Sequence, residues 1–555
     1  MNRIRDRGQE RAKQGIFSPG GMISLALCFM LFGFAPMEIY LNNPADFWYD
    51  AWFLLPWCLG WFAAAFACCL LLLALLWFCG DRAYDAGLAV LFWLFAGCYY
   101  QGNFQVGNLP ALDGAELELA EYGQDVRLSC IVWVLLAAVI CALALKLKRN
   151  TFRMLVRGTG TFVFLILLVT VLTLFFTTGG YEKKDYLTCI KDDQFEMSSD
   201  ENFVIFVLDA VDAGKYEELY AVHPEYRKML RDFTYFGNTL SGYPCTSCAM
   251  PLILSGEWYE NDEPFAEYLH RVYGEGRFFD VLEDAGYEMS LYDSELSLLE
   301  NRIGSRYKNL IHSKLKVSEP ATFVKRQFKM IGYKYAPWIL KRYCWFNAQQ
   351  LWNQRLVDTD NELFMWDDWL FYLDVQERPV TYTEAKQFKM IHLEGAHTPF
   401  RYDEHVNVVY DTDYTSSVAA SMTVLGAYLE KLRQAGVYDN TVILVMSDHG
   451  FSEAQRTGDG RQHPILFIKG RGESHEMRIS DAPISQTDFV DAYEALLAGA
   501  GADEAFPWKE GDVRERRYLF YRVKTMEHME EFLQRDHARE SESLEPTGVT
   551  YDYGK

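Results

Sequence analysis

Apolar positions fall into two regimes along the chain. Up to about residue 180 they form five runs, at about 20–40, 51–80, 84–101, 128–145 and 159–179, none containing a Lys or Arg. A hydrocarbon core of about 30 Å takes roughly 20 apolar residues in helix, so the pattern predicts five transmembrane helices in an anchor over 1–180. Residues 181–200 are polar and are expected to be a linker. From 201 the runs shorten to strand length: NFVIFVL, YEMSLYD, FKMIHLEG, TVILVMSD and PILFIKG. Helical patterns lie between them, notably over 412–436 and 485–499. Continuous apolar strands alternating with helices predict an α/β domain with a mostly parallel sheet covered on both faces. That domain is expected over 201–535, with a loosely held polar tail at 536–555.

Charge sharpens the division. The 555-residue chain carries 53 Lys+Arg against 76 Asp+Glu, a net charge of −23, and residues 1–180 are neutral with 12 of each sign. An acidic second part argues against nucleic acid as a partner, since phosphate backbones need Lys and Arg. Arg3, Arg5, Arg7, Arg11 and Lys13 precede the first run, and Lys146, Lys148, Arg149, Arg153 and Arg157 separate the fourth from the fifth. Loops 41–50 and 102–126 are acidic instead. The positive-inside rule then puts both basic segments in the cytoplasm. With five spans, everything after about 180 is expected outside, as the extracytoplasmic part of a multi-pass plasma-membrane protein. Residues 312–356 are rich in Lys, Arg and aromatics. They suit either a solvated helical insertion or a segment resting on anionic lipid headgroups.

Candidate chemistry gathers at strand ends, where open α/β sheets bind ligands. NFVIFVL ends at Asp209, and FKMIHL ends in Glu394 with His397 three further on. TVILVMS ends in Asp448–His449–Gly450, and His463 precedes PILFIKG. Taken singly, a strand-end Asp is often a cap and a lone His often structural. Their joint recurrence at successive strand ends suggests a metal site, since Asp and His are the usual oxygen and nitrogen ligands of zinc or manganese. In GYPCTSCAMPLILSG, 242–256, a turn opens a helix with Thr246 and Ser247 in its first turn, a position suited to an anion. A Thr hydroxyl needs activation to act as a nucleophile, which a cation can supply. Cys245 and Cys248 could form a local bridge or stay free.

Together these segments resemble the sulfatase-like branch of the alkaline phosphatase superfamily over about 201–500. The resemblance rests on NFVIFVLDAV, CTSCAMPLILSG, HLEGAHTPF, DNTVILVMSDHG and HPILFIKG. In that family the nucleophile lies ten residues before the Gly that closes the helix segment, and Gly256 places it at Thr246. Phosphoethanolamine transferases have Thr there and Pro five residues later, as Pro251 is here. Neither Cys245 nor Cys248 begins the Cys-x-Pro-x-Arg that formylglycine sulfatases require. Five spans before a catalytic domain match phosphoethanolamine transferases and lipoteichoic acid synthase-type phosphoglycerol transferases.

The resemblance implies that Asp209, Thr246, Asp448 and His449 hold one divalent metal, zinc or manganese. It places His397 and His463 on the substrate side, at a second metal or the leaving group. Asp209 stands where those transferases usually have Glu, and Glu394 has no counterpart. The activity it implies takes a headgroup from a membrane phospholipid donor, through a covalent phospho-threonine, to a cell-surface glycan or lipid acceptor. The alternative is a membrane-tethered sulfatase-like hydrolase or phosphodiesterase that hands the intermediate to water.

Overall fold

The computed structural model describes residues 18–44, 47–107, 109–110, 112, 117, 119–183, 186–293, 296, 306–347, 349–409, 411–452, 461–522 and 526–554. The basic residues before position 18 and the acidic Asp46, Asp113, Glu116 and Glu118, which entered the topology expectation, lie outside the described residues. Two compact units result: residues 1–184 with 315–358, and residues 185–314 with 359–555.

The first unit is helical. Its five long helices are α1 (Pro19–Asn42), α2 (Ala51–Phe78), α3 (Asp81–Phe104), α4 (Gly123–Lys146) and α5 (Arg149–Thr177), each long and apolar enough to cross a membrane. Ser18 caps α1 by accepting from the Gly21 N–H, and Asp50 caps α2 by accepting from Phe53. The acidic start of α3 has a structural role: Asp81 and Asp85 pair with Arg149 and Arg153 of α5, with Arg153 Nε 2.6 Å from Asp85. Residues 315–358, expected inside the α/β domain, group with these helices instead. They contain the helix Pro320–Tyr335 and the 3₁₀ turn Trp338–Tyr343.

The second unit is built on a seven-stranded sheet. In chain order its strands are β1 (Asn202–Leu208), β2 (Thr234–Phe236), β3 (Tyr287–Tyr292), β4 (Lys386–Leu393), β5 (Thr441–Met446), β6 (Leu466–Lys469) and β7 (Arg478–Ser480), with spatial order 7-2-6-5-1-4-3. Only the β6 pairings, to β5 and β2, are antiparallel among the pairs of this sheet. Every residue of β1 is buried because both faces are covered. On one face Phe203 packs against Tyr493 of helix Phe489–Leu497, and on the other Phe206 stacks on Tyr428 of helix Tyr414–Gln434, as the period-two alternation of a strand requires.

Register delivers the strand ends to one place. Leu393 of β4 lies opposite Leu208 of β1, and Met446 of β5 opposite Val207. Asp209, the residues after Leu393, and Asp448 therefore emerge side by side.

Two boundary expectations change. The linker 181–200 contributes two strands to the second unit: Tyr186–Cys189 pairs with Leu310–Val317, and Glu196–Ser198 with Thr381–Thr383. The tail 536–555 is not loosely held, since Leu544–Asp552 is the edge strand of an antiparallel three-stranded sheet with Arg516–Phe520 and His528–Gln534. That strand is mostly exposed, which is why its composition is polar.

Candidate active site

The site begins in the turn after β1. Ala210 takes a left-handed conformation, φ 57°, unusual for a residue with a Cβ, and its N–H donates to Asp448 Oδ1 at 3.1 Å. Tyr414 holds this turn by donating its hydroxyl to Ala210 O and accepting from the Asp212 N–H, both at 2.8 Å. After β4 the chain passes so close that a Cβ on Gly395 would lie 2.5 Å from the backbone N and O of Asp209, and Gly395 has φ 62°. Only glycine fits both constraints. The Asp209 backbone is thus clamped: its N–H donates to Leu393 O, and its O accepts from Ala396.

Thr246 is the first residue of the helix Thr246–Ser255, which ends at the left-handed Gly256. Its hydroxyl donates to Asp209 Oδ2 at 3.2 Å. The helix start is tied to the β5 end by Gln486, which accepts from the Gly242 N–H at 2.9 Å and donates to Asp448 O at 2.6 Å. Around the hydroxyl stand Asp209, His392 and Asp448, all buried, with ligand atoms within 4.8 Å of one another. His449 Nδ1 meets Gly450 O at 2.7 Å, which turns Nε2 toward Asp448 Oδ2 at 3.4 Å and Asp209 Oδ1 at 3.8 Å. Asp209, Thr246, Asp448 and His449, the four residues named from the resemblance, are therefore gathered at one point.

His392 joins them and was not anticipated. Its Nε2 lies 3.5 Å from Asp209 Oδ2, and its Nδ1 is held 3.0 Å from Asp293 Oδ2. Asp293 follows the last residue of β3, so the strand-end rule applied to YEMSLYD would have found it. His392 is the penultimate residue of β4, and its signal was a histidine inside an apolar strand. Burial disfavours a charged His392 ring, but the Asp293 and Asp209 carboxylates outweigh it and raise its pKa well above the usual histidine value. For Asp448, burial raises the pKa, and the neighbouring His449 and His392 outweigh that and hold it below the usual carboxylate range.

These residues suit a divalent cation. Asp209 Oδ1, Asp448 Oδ2 and His392 Nε2 are buried with no hydrogen-bond partner. Two carboxylate oxygens left without a hydrogen-bond partner at one buried point are costly unless something electropositive meets them, and a cation binding there would take the place of the proton on His392 Nε2. The donor set of carboxylate oxygens, imidazole nitrogens and a hydroxyl fits zinc or manganese.

The remaining predicted residues make other contacts. Glu394 accepts from the Tyr402 hydroxyl at 2.8 Å and faces Arg401 at 3.5 Å, while its N–H and that of Gly395 donate to the buried Asp368. Its work is to anchor the loop after β4. His397 is half-buried with its ring 5.2 Å from Trp366. His463 Nε2 engages Gly237 O at 2.7 Å, and its ring meets His537 edge-on. Burial lowers the His463 pKa to about 4, which keeps the ring neutral. Cys245 and Cys248 are both free and buried, as are Cys189 and, less completely, Cys344.

A family model described as Sulfatase matches residues 201–499. None of the curated protein sequences compared matches the chain. Among solved structures it is similar to Ps i-CgsB in complex with k-i-k-neocarrahexaose, at 12% identity and TM-score 0.38 over 61% of this chain and 82% of that one. It is also similar to the lipoteichoic acid synthase LtaP from Listeria monocytogenes, at 11% identity and TM-score 0.35 over 63% and 88%. The phosphonate monoester hydrolase SpPMH from Silicibacter pomeroyi is similar at 14% identity and TM-score 0.33 over 64% and 89%. With the family match spanning more than half the chain, over the strands and turns that build the Thr246 site, this protein belongs to the sulfatase family.

Proposed function

We propose that the protein is a membrane-anchored, metal-dependent transferase that moves a phospholipid headgroup, phosphoethanolamine or phosphoglycerol, to a cell-surface glycan or lipid. The observation that carries this reading is the Thr246 hydroxyl, at a helix start, donating into a buried carboxylate–imidazole cluster with orphaned acceptors. Threonine in place of the Cys-x-Pro-x-Arg motif favours phosphoryl over sulfate chemistry.

Thr246 Oγ1 attacks phosphorus as its proton passes to Asp209, the oxygen it already faces. An O–P bond forms, and the bond from phosphorus to the diacylglycerol oxygen breaks. His397, the more accessible of the two candidate histidines, protonates that departing oxygen. In the second step the same histidine takes a proton from an acceptor hydroxyl, whose oxygen bonds to phosphorus as the Thr246 O–P bond breaks and Asp209 returns its proton to Thr246 Oγ1. Asp209, Thr246, Asp448 and His449, with His392 beside them, would hold a divalent cation, which would supply activation of the hydroxyl and neutralisation of phosphoryl charge. The free N–H groups of the Thr246 helix add a positive dipole end for the same anion.

The helical anchor confines the enzyme to the plane of its donor and raises the donor's effective concentration. Basic residues between α4 and α5 and an odd number of spans support an extracytoplasmic catalytic unit. Phosphatidylethanolamine and phosphatidylglycerol labelled in the headgroup test the activity. Thr246-dependent transfer of label to a glycan or lipid supports it, and Thr246-dependent release of free label would assign a hydrolase instead.

A further inference from the structure

Residues 320–357 contain seven Lys and Arg and not one Asp or Glu, within a chain of net charge −23. This segment belongs to the helical unit, and its packing shows how deeply it enters. The Phe323 ring meets Tyr49 and Trp57 at 5.5 and 5.7 Å. One and a half turns on, the Phe328 ring lies 5.2 Å from Trp61 and 5.7 Å from Phe32. Trp61 is ten residues past the start of α2 and Phe32 ten residues before the end of α1, so at 1.5 Å per residue each is about 15 Å from its helix end. Further along, Tyr335 packs so closely on Gly102 of α3 that a Cβ there would fall 2.3 Å from its ring. Chain connectivity puts the ends of α1 and α3 and the starts of α2 and α4 on one face of the bilayer. The helix Pro320–Tyr335 enters between them from that face, to the depth of a leaflet rather than above it.

Polar ties fix it there. Lys334 pairs with Glu38 at 2.5 Å, Gln327 donates to the Tyr49 hydroxyl at 2.7 Å, and the Trp338 N–H donates to Ser129 Oγ at 3.2 Å. Four further cations of this segment meet neutral groups instead. Lys329 donates to Trp345 O, the buried Lys341 to Tyr333 O, and Arg342 to the Tyr343 hydroxyl. Among the described residues Lys325, Arg326, Lys329, Lys341 and Arg342 form no ion pair with a carboxylate. Beside them Phe328, Ile339, Leu340 and Tyr343 are exposed at 42, 49, 46 and 63%, the combination of apolar, aromatic and cationic side chains that lies at a membrane interface.

We propose that residues 320–343 form a re-entrant, lipid-binding element that seats the phosphate of an anionic glycerophospholipid of the phosphatidylglycerol type. Lys325, Arg326, Lys329 and Arg342, which unlike the buried Lys341 reach the surface, meet the phosphate, and the exposed apolar side chains meet the acyl chains. A headgroup that carries its own ammonium finds no carboxylate over 320–357 to receive it, so an anionic headgroup is preferred over a zwitterionic one. This goes beyond the transfer chemistry and does not depend on it.

The test uses the full chain with Thr246→Ala, so that no lipid is consumed. It is reconstituted in vesicles of equal parts phosphatidylglycerol, phosphatidylethanolamine and phosphatidylcholine, extracted, and its bound lipids counted by native mass spectrometry. Phosphatidylglycerol is expected to be enriched over both zwitterionic lipids. Lys325→Gln with Arg342→Gln is expected to reduce that enrichment about fivefold per charge removed, while Lys325→Arg with Arg342→Lys retains it. Equal retention of the three lipids by the parent, or undiminished enrichment in a folded double Gln variant, would overturn the proposal. So would displacement of the retained lipid by soluble polyaspartate, which would assign this face to an acidic partner. If the Gln variant does not fold, the parent's selectivity decides alone.

Discussion

Asp293→Asn removes a charge from the site while leaving its shape. Asp293 Oδ2 holds His392 Nδ1 at 3.0 Å, and both side chains are at most 2% exposed. Asparagine preserves volume and one acceptor oxygen for Nδ1–H, so the ring can keep its orientation, but the negative charge that makes Nε2 a better donor to a cation is gone. Carboxylates that support a ligating histidine in this way are worth 10- to 100-fold in metal affinity, about 1.4–2.7 kcal/mol. His392→Ala, which removes the donor atom and leaves a buried void beside two carboxylates, is expected to cost more. The assay is an equilibrium titration of the purified full chain with zinc and with manganese against a competing chelator, alongside thermal unfolding of the metal-free protein. The reasoning predicts a loss of about tenfold or more for Asp293→Asn, a larger loss for His392→Ala, and correct folding in both. Affinity within twofold of the parent in folded Asp293→Asn would show that His392 does not face the cation.

Other expectations follow from the same geometry. Gly395→Ala adds a Cβ 2.5 Å from the Asp209 backbone at a φ of 62°. It should destabilise the α/β unit by about 3 kcal/mol or more and weaken metal binding with it; an unfolding midpoint within 1–2 °C of the parent, roughly the resolution of such shifts, would refute the clamp. His463, whose pKa falls to about 4 on burial, binds its proton more weakly folded than unfolded. Its contribution to stability is therefore complete above the ordinary histidine value near 6.5, and lost at about 1.4 kcal/mol per pH unit as pH falls toward 4. His463→Gln, which can still donate to Gly237 O, should flatten the stability profile in that window, and an unchanged slope would contradict the assignment. Asp448→Asn should abolish stoichiometric metal by elemental analysis; full occupancy would remove Asp448 from the ligand set.

Much of this site was legible because parallel strands buried on both faces announce themselves as continuous apolar runs, and their ends are where polar residues must gather. Asp209, Asp448 and His449 followed from that rule, and Thr246 from the turn-to-helix pattern with the family resemblance. His392 followed from neither, and the strand-end rule reaches Asp293 without its partner, because their pairing depends on β3 and β4 being neighbours, a fact of sheet order rather than of local pattern. Register placed Leu393 beside Leu208, and no single segment carries that information. The same limit hid the return of 315–358 to the helices: a basic, aromatic segment looks alike whether water or a membrane unit receives it. Leu544–Asp552 was misjudged because an exposed edge strand needs few apolar residues, so its composition resembles that of an unstructured tail.

The account turns on a bond from Thr246 to phosphorus. Incubating the full chain with headgroup-labelled phosphatidylethanolamine and phosphatidylglycerol, without an acceptor, then quenching in acid and mapping peptides by mass, tests it directly. The account predicts the mass of one headgroup phosphate on the peptide containing Thr246, lost in Thr246→Ala. Turnover of the same lipids by Thr246→Ala at the parent's rate, with no adduct on the parent, would contradict it.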